Sequence, residues 1–267
     1  FAMRVADAAG APVVERDADG FAVGERLCRG EEFGVSDVLE RKGSFDAAAP
    51  FGFRADEIVE VEDLRAELDK NGLTMASGHF SPDFLDGEVQ KSLTIAKTLG
   101  MDSIYAPHIG ADERPKDAAG WRAFGKRLQE MSKPYKDAGF EFGWHNHDFE
   151  FVKQADGSLP IEQIFEAAPD ISWEADIAWV IRGGGDPFAW IEKLGPRITA
   201  VHVKDIAPAG ENKNEDGWAD VGHGTVPWAK LLKALTGTKA KHFVVEHDNP
   251  SDVDRLITRS IASFKSF

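Results

Sequence analysis

A single cysteine, Cys28, stands in 267 residues. No disulfide can form within the chain, and one thiol says little about compartment. No apolar run approaches the roughly 20 residues that span a bilayer, so no membrane partner is expected. Positive charge is scarce: 31 Lys and Arg against 46 Asp and Glu give a formal net charge of -15. A surface of that sign repels a phosphate backbone, which argues against nucleic acid as a partner. A glycine-rich phosphate turn of GxGxxG spacing is also missing. Gly183-Gly184-Gly185 lacks that spacing and reads as a flexible loop. What the chain does have is 42% hydrophobic residues, enough for a real core, in a length that suits one large domain or two small ones. The Phe-Ala-Met start leaves the native N-terminus open, and with it a removed signal peptide. The expected compartment is the cytoplasm, with the periplasm as the alternative.

From Phe51 onward the apolar pattern is regular. FGFRADEIVEV is expected as a strand. Val61, Leu64 and Leu68 share a helix face that stops at Asn71-Gly72. LTMASGHF, MDSIYAPH and GFEFGWHNH read as strands. Val89, Leu93, Ala96 and Leu99 recur at helical spacing up to Gly100, and Trp121, Phe124, Leu128, Met131 and Tyr135 step by three and four. A helix on Ile161, Ile164, Phe165 and Ala168 precedes the strand ISWEAD. Asp186-Pro187 starts a helix that buries Phe188, Ile191 and Leu194. The strand ITAVHVKDI, a polar loop over 208–224, a helix on Trp228, Leu231, Leu232 and Leu235, the strand HFVVEHD and a closing helix complete the chain. Strands such as ITAVHV are nearly continuous in apolar residues, as expected when both faces are covered. Seven strand–helix units are expected, and the poorly patterned residues 1–50 leave room for an eighth. That count predicts an α/β fold of the (β/α)₈ TIM barrel type, one domain over 1–267 with 1–50 atypical. A doubly wound open sheet is the runner-up.

In a barrel the C-terminal ends of the strands meet at one face. Here those ends carry imidazoles and carboxylates, which are costly to bury unless paired or bound to a metal. Glu150, Asp176, His202 and Glu246 come from four successive strands. Such mixed ligands suit Mn²⁺, Zn²⁺, Co²⁺ or Fe²⁺, and three carboxylates with one imidazole leave open positions for substrate oxygens. Glu174 alternates with Asp176 on one strand face, so either is the ligand and the other a supporting group. Asp205 and Asp248 read as helix caps or loop anchors. His79 and His108 read as polar strand ends or as substrate contacts. Trp144, Trp173, Trp179 and Trp190 fit the core, and Trp179 is the one best placed to stack on a sugar face.

At these residues the chain resembles the sugar phosphate isomerase/epimerase family with the xylose isomerase-like TIM barrel. NGLTMASGHF, GWHNHDFEF, WEADIAWV, AVHVKDI, DVGHGTVPW and VVEHD carry the resemblance, from about Phe51 to the C-terminus. It implies a divalent ion (Mn²⁺, Zn²⁺, Co²⁺ or Mg²⁺) held by a Glu-Asp-His-Glu set, in which Asp176, His202 and Glu246 match the last three. Related epimerases carry the first glutamate on the strand itself, where this chain has Gly143 or its neighbours; Glu150 is the expected substitute, with His145 or His147 as alternatives. The implied reaction is proton abstraction next to a carbonyl through an enediolate. Glu246, His147 and His145 are the candidate proton-transfer groups. Lys204 would support the oxyanion, and His79, His108, Trp179 and His223 would contact a small sugar substrate. The resemblance implies an isomerase or epimerase on a sugar, keto-sugar or sugar phosphate. A dehydratase or lyase on an inosose or 3-keto-glycoside, a catalytically inactive sugar-binding barrel, and a phosphodiesterase disfavoured by the acidic charge are the alternatives. A homo-oligomer is compatible with the sequence.

Overall fold

Strand signals and helix signals alternate along the chain, and the computed structural model, which describes residues 2–6, 58–70 and 73–267, resolves them into a curled sheet with helices between its strands. In chain order the elements are β1 (Ala2–Ala6), α1 (Ile58–Lys70), β2 (Ser77–His79), α2 (Pro82–Gly87), α3 (Val89–Leu99), β3 (Ser103–Ala106), α4 (Ala118–Asp137) and β4 (Glu141–His145). Then follow α5 (Pro160–Ala167), β5 (Ser172–Asp176), α6 (Ile177–Arg182), α7 (Pro187–Leu194), β6 (Ile198–Val203), β7 (Asp205–Ile206), β8 (Trp218–Ala219), α8 (Trp228–Leu235), β9 (His242–Glu246) and α9 (Val253–Ser266).

Among the described residues, six strands run parallel in the order β9-β6-β5-β4-β3-β2. Their connections are helical, as parallel pairing requires. At the other edge β1 pairs with β9 antiparallel, Ala2 opposite Glu246 and Met3 opposite Val245, where the first strand of a closed barrel would run parallel. The sheet curls strongly. Tyr105 on β3 and Thr199 on β6 are not on neighbouring strands, yet their hydroxyls bond at 2.9 Å. His79 on β2 likewise hydrogen-bonds Glu174 on β5 across two intervening strands.

The helices follow their sequence signals. The long helix α4 starts with Asp117 accepting from the Gly120 N–H (2.8 Å) and buries Trp121, Leu128 and Tyr135. Asp186 caps α7 through the Phe188 N–H (2.9 Å), with Pro187 in the first turn. Three expectations need correction. The described part of FGFRADEIVEV, from Ile58, is helical. Val61, Leu64 and Leu68 are all buried, and that spacing belongs to a helix that starts earlier than its stop signal suggested. Residues 51–57 of that segment lie outside the described residues, as does most of 1–50. Phe188 is 39% exposed, because α7 turns Trp190 and Ile191 inward instead. The polar loop 208–224 is not structureless: β8 within it pairs with β7, Ile206 opposite Trp218.

Candidate active site

The site begins at the end of β4. There the strand turns sharply, and Asn146 ties its end to β5: its Oδ1 accepts from Trp173 Nε1 (2.7 Å) and from the Asp176 N–H (3.0 Å), while its Nδ2 donates to the Asp176 carbonyl (3.1 Å). One amide therefore sets the heights of His145 and Asp176 relative to each other. His145 lies directly opposite Glu174 in the parallel register.

Two clusters of potential ligands result. In the first, Asp176, His202 and Glu246 bring one ligand atom each to within 4.8 Å of one another. His202 Nδ1 sits 2.6 Å from Glu246 Oε2. Asp176 Oδ1 caps α6 by accepting from the Trp179 N–H (3.0 Å), and its Oδ2 is buried without a hydrogen-bond partner. Lys204 closes this cluster, its Nζ 3.2 Å from Glu246, 3.5 Å from Asp176 and 2.5 Å from Asp248 Oδ1. In the second cluster, His79, His145 and His202 surround Glu174. His145 Nδ1 is 3.2 Å and His202 Nε2 is 3.4 Å from the Glu174 carboxylate, and His79 bonds it directly. His202 belongs to both clusters, one ring nitrogen toward each.

Burial would raise the carboxylates and lower the imidazoles, and neighbours decide which way each moves. Burial lifts Asp176 to about 6 against the pull of Lys204 and His202. In Glu246, Lys204 and His202 outweigh burial and hold the carboxyl well below its usual range. In Glu174, His79 and His202 do the same. His202 is raised against burial by Glu246 and Glu174. Burial drives His145 down to about 3 and His147 well below the usual range, so both rings are neutral near pH 7.

His147 packs its ring near those of His145, His108 and Trp179, with centroids 5.2, 5.2 and 5.5 Å away, and its Nδ1 has no hydrogen-bond partner. Trp179 also meets Trp218 edge-on at 4.8 Å, and Arg182 lies 3.2 Å over the Trp218 ring. His108 is held by Arg114 Nη2 at 2.9 Å. His223 is exposed on the turn after β8 and joins neither cluster.

Glu150 is not brought into either cluster. Its fully buried carboxyl accepts from Trp144 Nε1 (2.9 Å) and the His147 N–H (3.0 Å), and burial pushes it up to about 8. It fixes the turn that carries His145 and His147. Nor can a glutamate replace Gly143 on the strand, since a Cβ there would lie 2.5 Å from the Ser172 carbonyl oxygen. Glu174, one strand over, brings a carboxylate to His145 instead. Sequence reading named Glu174 only as an alternative to Asp176; its alternation with Asp176 on one strand face was the available signal. Asn146, Arg114, Arg182 and Trp218 were missed as site-shaping residues, and of these only Asn146, inside the HNH run, carried a signal.

Glu150→Ala is expected to leave the bound-cation content unchanged and to cost about 2–3 kcal/mol of stability, because it orphans a buried indole N–H and a backbone N–H. The wild-type pH profile adds a second check. The folded carboxyl titrates at about 8 against 4.5 for the free group. Its stabilising contribution is therefore complete below about pH 4.5 and is lost as pH rises through 8. Denaturant titrations from pH 4 to 9 should show a smaller fall in stability in the variant than in the wild type, the difference being the Glu150 contribution.

A scan of protein families matches residues 38–267 to the xylose isomerase-like TIM barrel. Among curated proteins none matches. Solved structures share the fold at low identity. A sugar phosphate isomerase/epimerase from Parabacteroides distasonis is 20% identical, with a TM-score of 0.63, 76% of this chain and 74% of that chain covered. A probable 3-DHS dehydratase from Bacillus anthracis is 14% identical, with a TM-score of 0.60 and coverage of 90% and 96%. A 3-keto-D-glucoside 4-epimerase from E. coli is 14% identical, with a TM-score of 0.58 and coverage of 78% and 85%.

Proposed function

Because the chain belongs to the xylose isomerase-like TIM barrel family, we propose that it is a divalent-metal-dependent isomerase or epimerase that abstracts a proton next to the carbonyl of a sugar, keto-sugar or sugar phosphate, through an enediolate. The observation that carries this reading is the convergence of Asp176, His202 and Glu246 from three adjacent strand ends within 4.8 Å. The residues fit a cation: two carboxylates and an imidazole face one another, and Asp176 Oδ2 is buried with no hydrogen-bond partner. An ion held by Asp176, His202 and Glu246 would polarise a ketone oxygen and a neighbouring hydroxyl and offset the charge of the enediolate.

The protein's own groups divide the remaining work. His147 Nδ1 is buried with no hydrogen-bond partner to displace, which leaves it as the nitrogen open to the substrate proton. Glu246, ionised beside Lys204, is the second proton-transfer group. Lys204 is held by Asp248 and stays charged, so it favours the oxyanion. Trp179, backed edge-on by Trp218, offers an aromatic face to the sugar ring. No helix among the described residues is long and apolar enough to cross a membrane.

The test is incubation of the Mn²⁺-loaded protein with a panel of ketoses and 3-keto-glycosides in deuterated water. The proposal expects deuterium beside the carbonyl and a product that differs from its substrate in mass by that exchange alone. Loss of water or of an aglycone would replace the reading with a dehydratase or lyase. Absence of exchange on every compound would leave a sugar-binding barrel.

A further inference from the structure

His108 borders two spaces. Its ring meets that of His147 at the strand-end face, with centroids 5.2 Å apart. It also lines a cavity of about 240 Å³ that shares no residue with either carboxylate cluster. The segment 108–113 after β3, the start of α2 and the first half of α4 enclose that cavity. Its apolar side is Pro82, Ile109 and Phe124, all buried. Its polar side carries the carboxylates of Asp83 and Glu113 and the guanidinium of Arg127.

The His108 ring has a fixed polarity. Arg114 Nη2 lies 2.9 Å from its Nε2, and a guanidinium can only donate, so Nε2 accepts and the ring's proton sits on Nδ1. Burial and Arg114 hold its pKa below the usual histidine range, so the ring carries no charge near pH 7. Arg114 is itself pinned by the Ile109 carbonyl (3.3 Å) and by the Phe149 ring, 3.6 Å from its guanidinium. Arg127 is engaged as well, 2.7 Å from Asp83 and 2.6 Å from Asp86. With Glu113 added, the wall is acidic around a neutralised arginine. Such a wall repels a phosphate, whereas hydroxyl groups find charged acceptors on it. Apolar carbon on one side and carboxylates on the other complement the C–H face and the hydroxyls of a sugar. The volume is below the roughly 300–1,000 Å³ of a drug-sized pocket and suits a single ring.

We propose that this cavity is a subsite for an uncharged sugar ring linked to the reacting one, so that the substrate is a glycoside or disaccharide and not a sugar phosphate. His108, common to both spaces, serves the linked pair as a neutral N–H donor. The inference rests on the reading of the strand-end face as the reaction centre and narrows its substrate class.

The full-length protein is titrated with D-glucose, cellobiose, maltose and glucose 6-phosphate, and each Kd is read by saturation-transfer NMR. At least one disaccharide is expected to bind about tenfold more tightly than glucose, and glucose 6-phosphate no more tightly than glucose. The Asp83→Asn/Glu113→Gln double variant should lose the disaccharide advantage and keep its affinity for glucose. Both side chains are exposed, and the Asp83–Arg127 pair lies at the surface, so the fold should survive. The wild-type comparison of the four sugars needs no variant. Equal affinity for glucose and both disaccharides, tighter binding of glucose 6-phosphate, an advantage that survives in the double variant, or no binding of any of the four would each overturn the subsite. None of these touches the deuterium-exchange test of the reaction. A disaccharide preference lost in the variant, with no exchange on any compound, would support the subsite and remove the proposed reaction.

Discussion

Asp176→Asn is expected to deprive the carboxylate-rich pocket of its ion and to lower kcat/KM by at least about a thousand-fold, roughly 4 kcal/mol of transition-state stabilisation. Asparagine is the informative replacement. Asp176 has two jobs: Oδ1 caps α6 at the Trp179 N–H, and Oδ2 faces Lys204 with no hydrogen-bond partner. The amide keeps an oxygen for the cap, which by itself is worth about 1 kcal/mol, while the charge a cation needs is gone. The fold should survive, with an unchanged circular dichroism spectrum and a melting temperature within a few degrees. Asp176→Ala adds the cap loss to the same activity loss. His202→Ala should be at least as severe, because both clusters share that ring. Zinc or manganese content and kcat/KM, measured on the same preparations, check the prediction. A variant with full metal content and wild-type turnover would defeat the ligand assignment.

The second large effect is on stability. Asp205→Ala should cost roughly 4 kcal/mol or more, read as a shift in the urea midpoint. The carboxylate is buried and accepts four backbone N–H groups: Ile206 (2.9 Å) and Val226 (2.9 Å) on Oδ1, Gly222 (2.8 Å) and Gly224 (3.1 Å) on Oδ2. Among the described residues, no other side chain accepts as many backbone N–H groups from the loop after β6. Gly224 belongs to the same arrangement, since a Cβ there would lie 2.3 Å from Asp205 Oδ1. Without the carboxylate, three of the orphaned N–H groups lie in the segment that follows β8, and limited proteolysis should cut within 208–224 well before the rest of the chain. The effect should reach the site, because Asp205 follows Lys204, whose carbonyl accepts from Trp228 Nε1 at 2.9 Å. A midpoint shift worth less than about 1 kcal/mol would show that the loop is held by its other ties alone, such as Glu215 to the Ser251 N–H (2.8 Å) and to Arg255 (2.9 Å).

Much of this architecture is legible in the sequence because the signals are local. Trp121, Leu128 and Tyr135 repeat at helical spacing and are buried. Asp186-Pro187 opens a helix as its capping chemistry requires. The apolar run of β6 is buried along its whole length, as a strand covered on both faces must be. Strand ends carrying histidine and carboxylate pointed to this face as the candidate site, and Asp176, His202 and Glu246 converge there. What the sequence concealed depends on register and on close approach. Glu150 stands in a motif with two histidines, yet a tight turn carries its carboxyl back under Trp144. Glu174 becomes a hub only because β4 and β5 pair with His145 opposite it, a non-local fact. Trp218 and Arg182 lie 36 residues apart in sequence and meet only because the loop after β7 folds back. The antiparallel β1 has no counterpart in the sequence pattern, since a strand's direction is not written in its alternation.

The central claim is tested most directly by diffraction from crystals of the full chain grown with Mn²⁺, recorded at the manganese absorption edge. An anomalous peak coordinated jointly by Asp176, His202 Nδ1 and Glu246 is the predicted result. Manganese absent from that position, with the three side chains ordered and no ion between them, would contradict it.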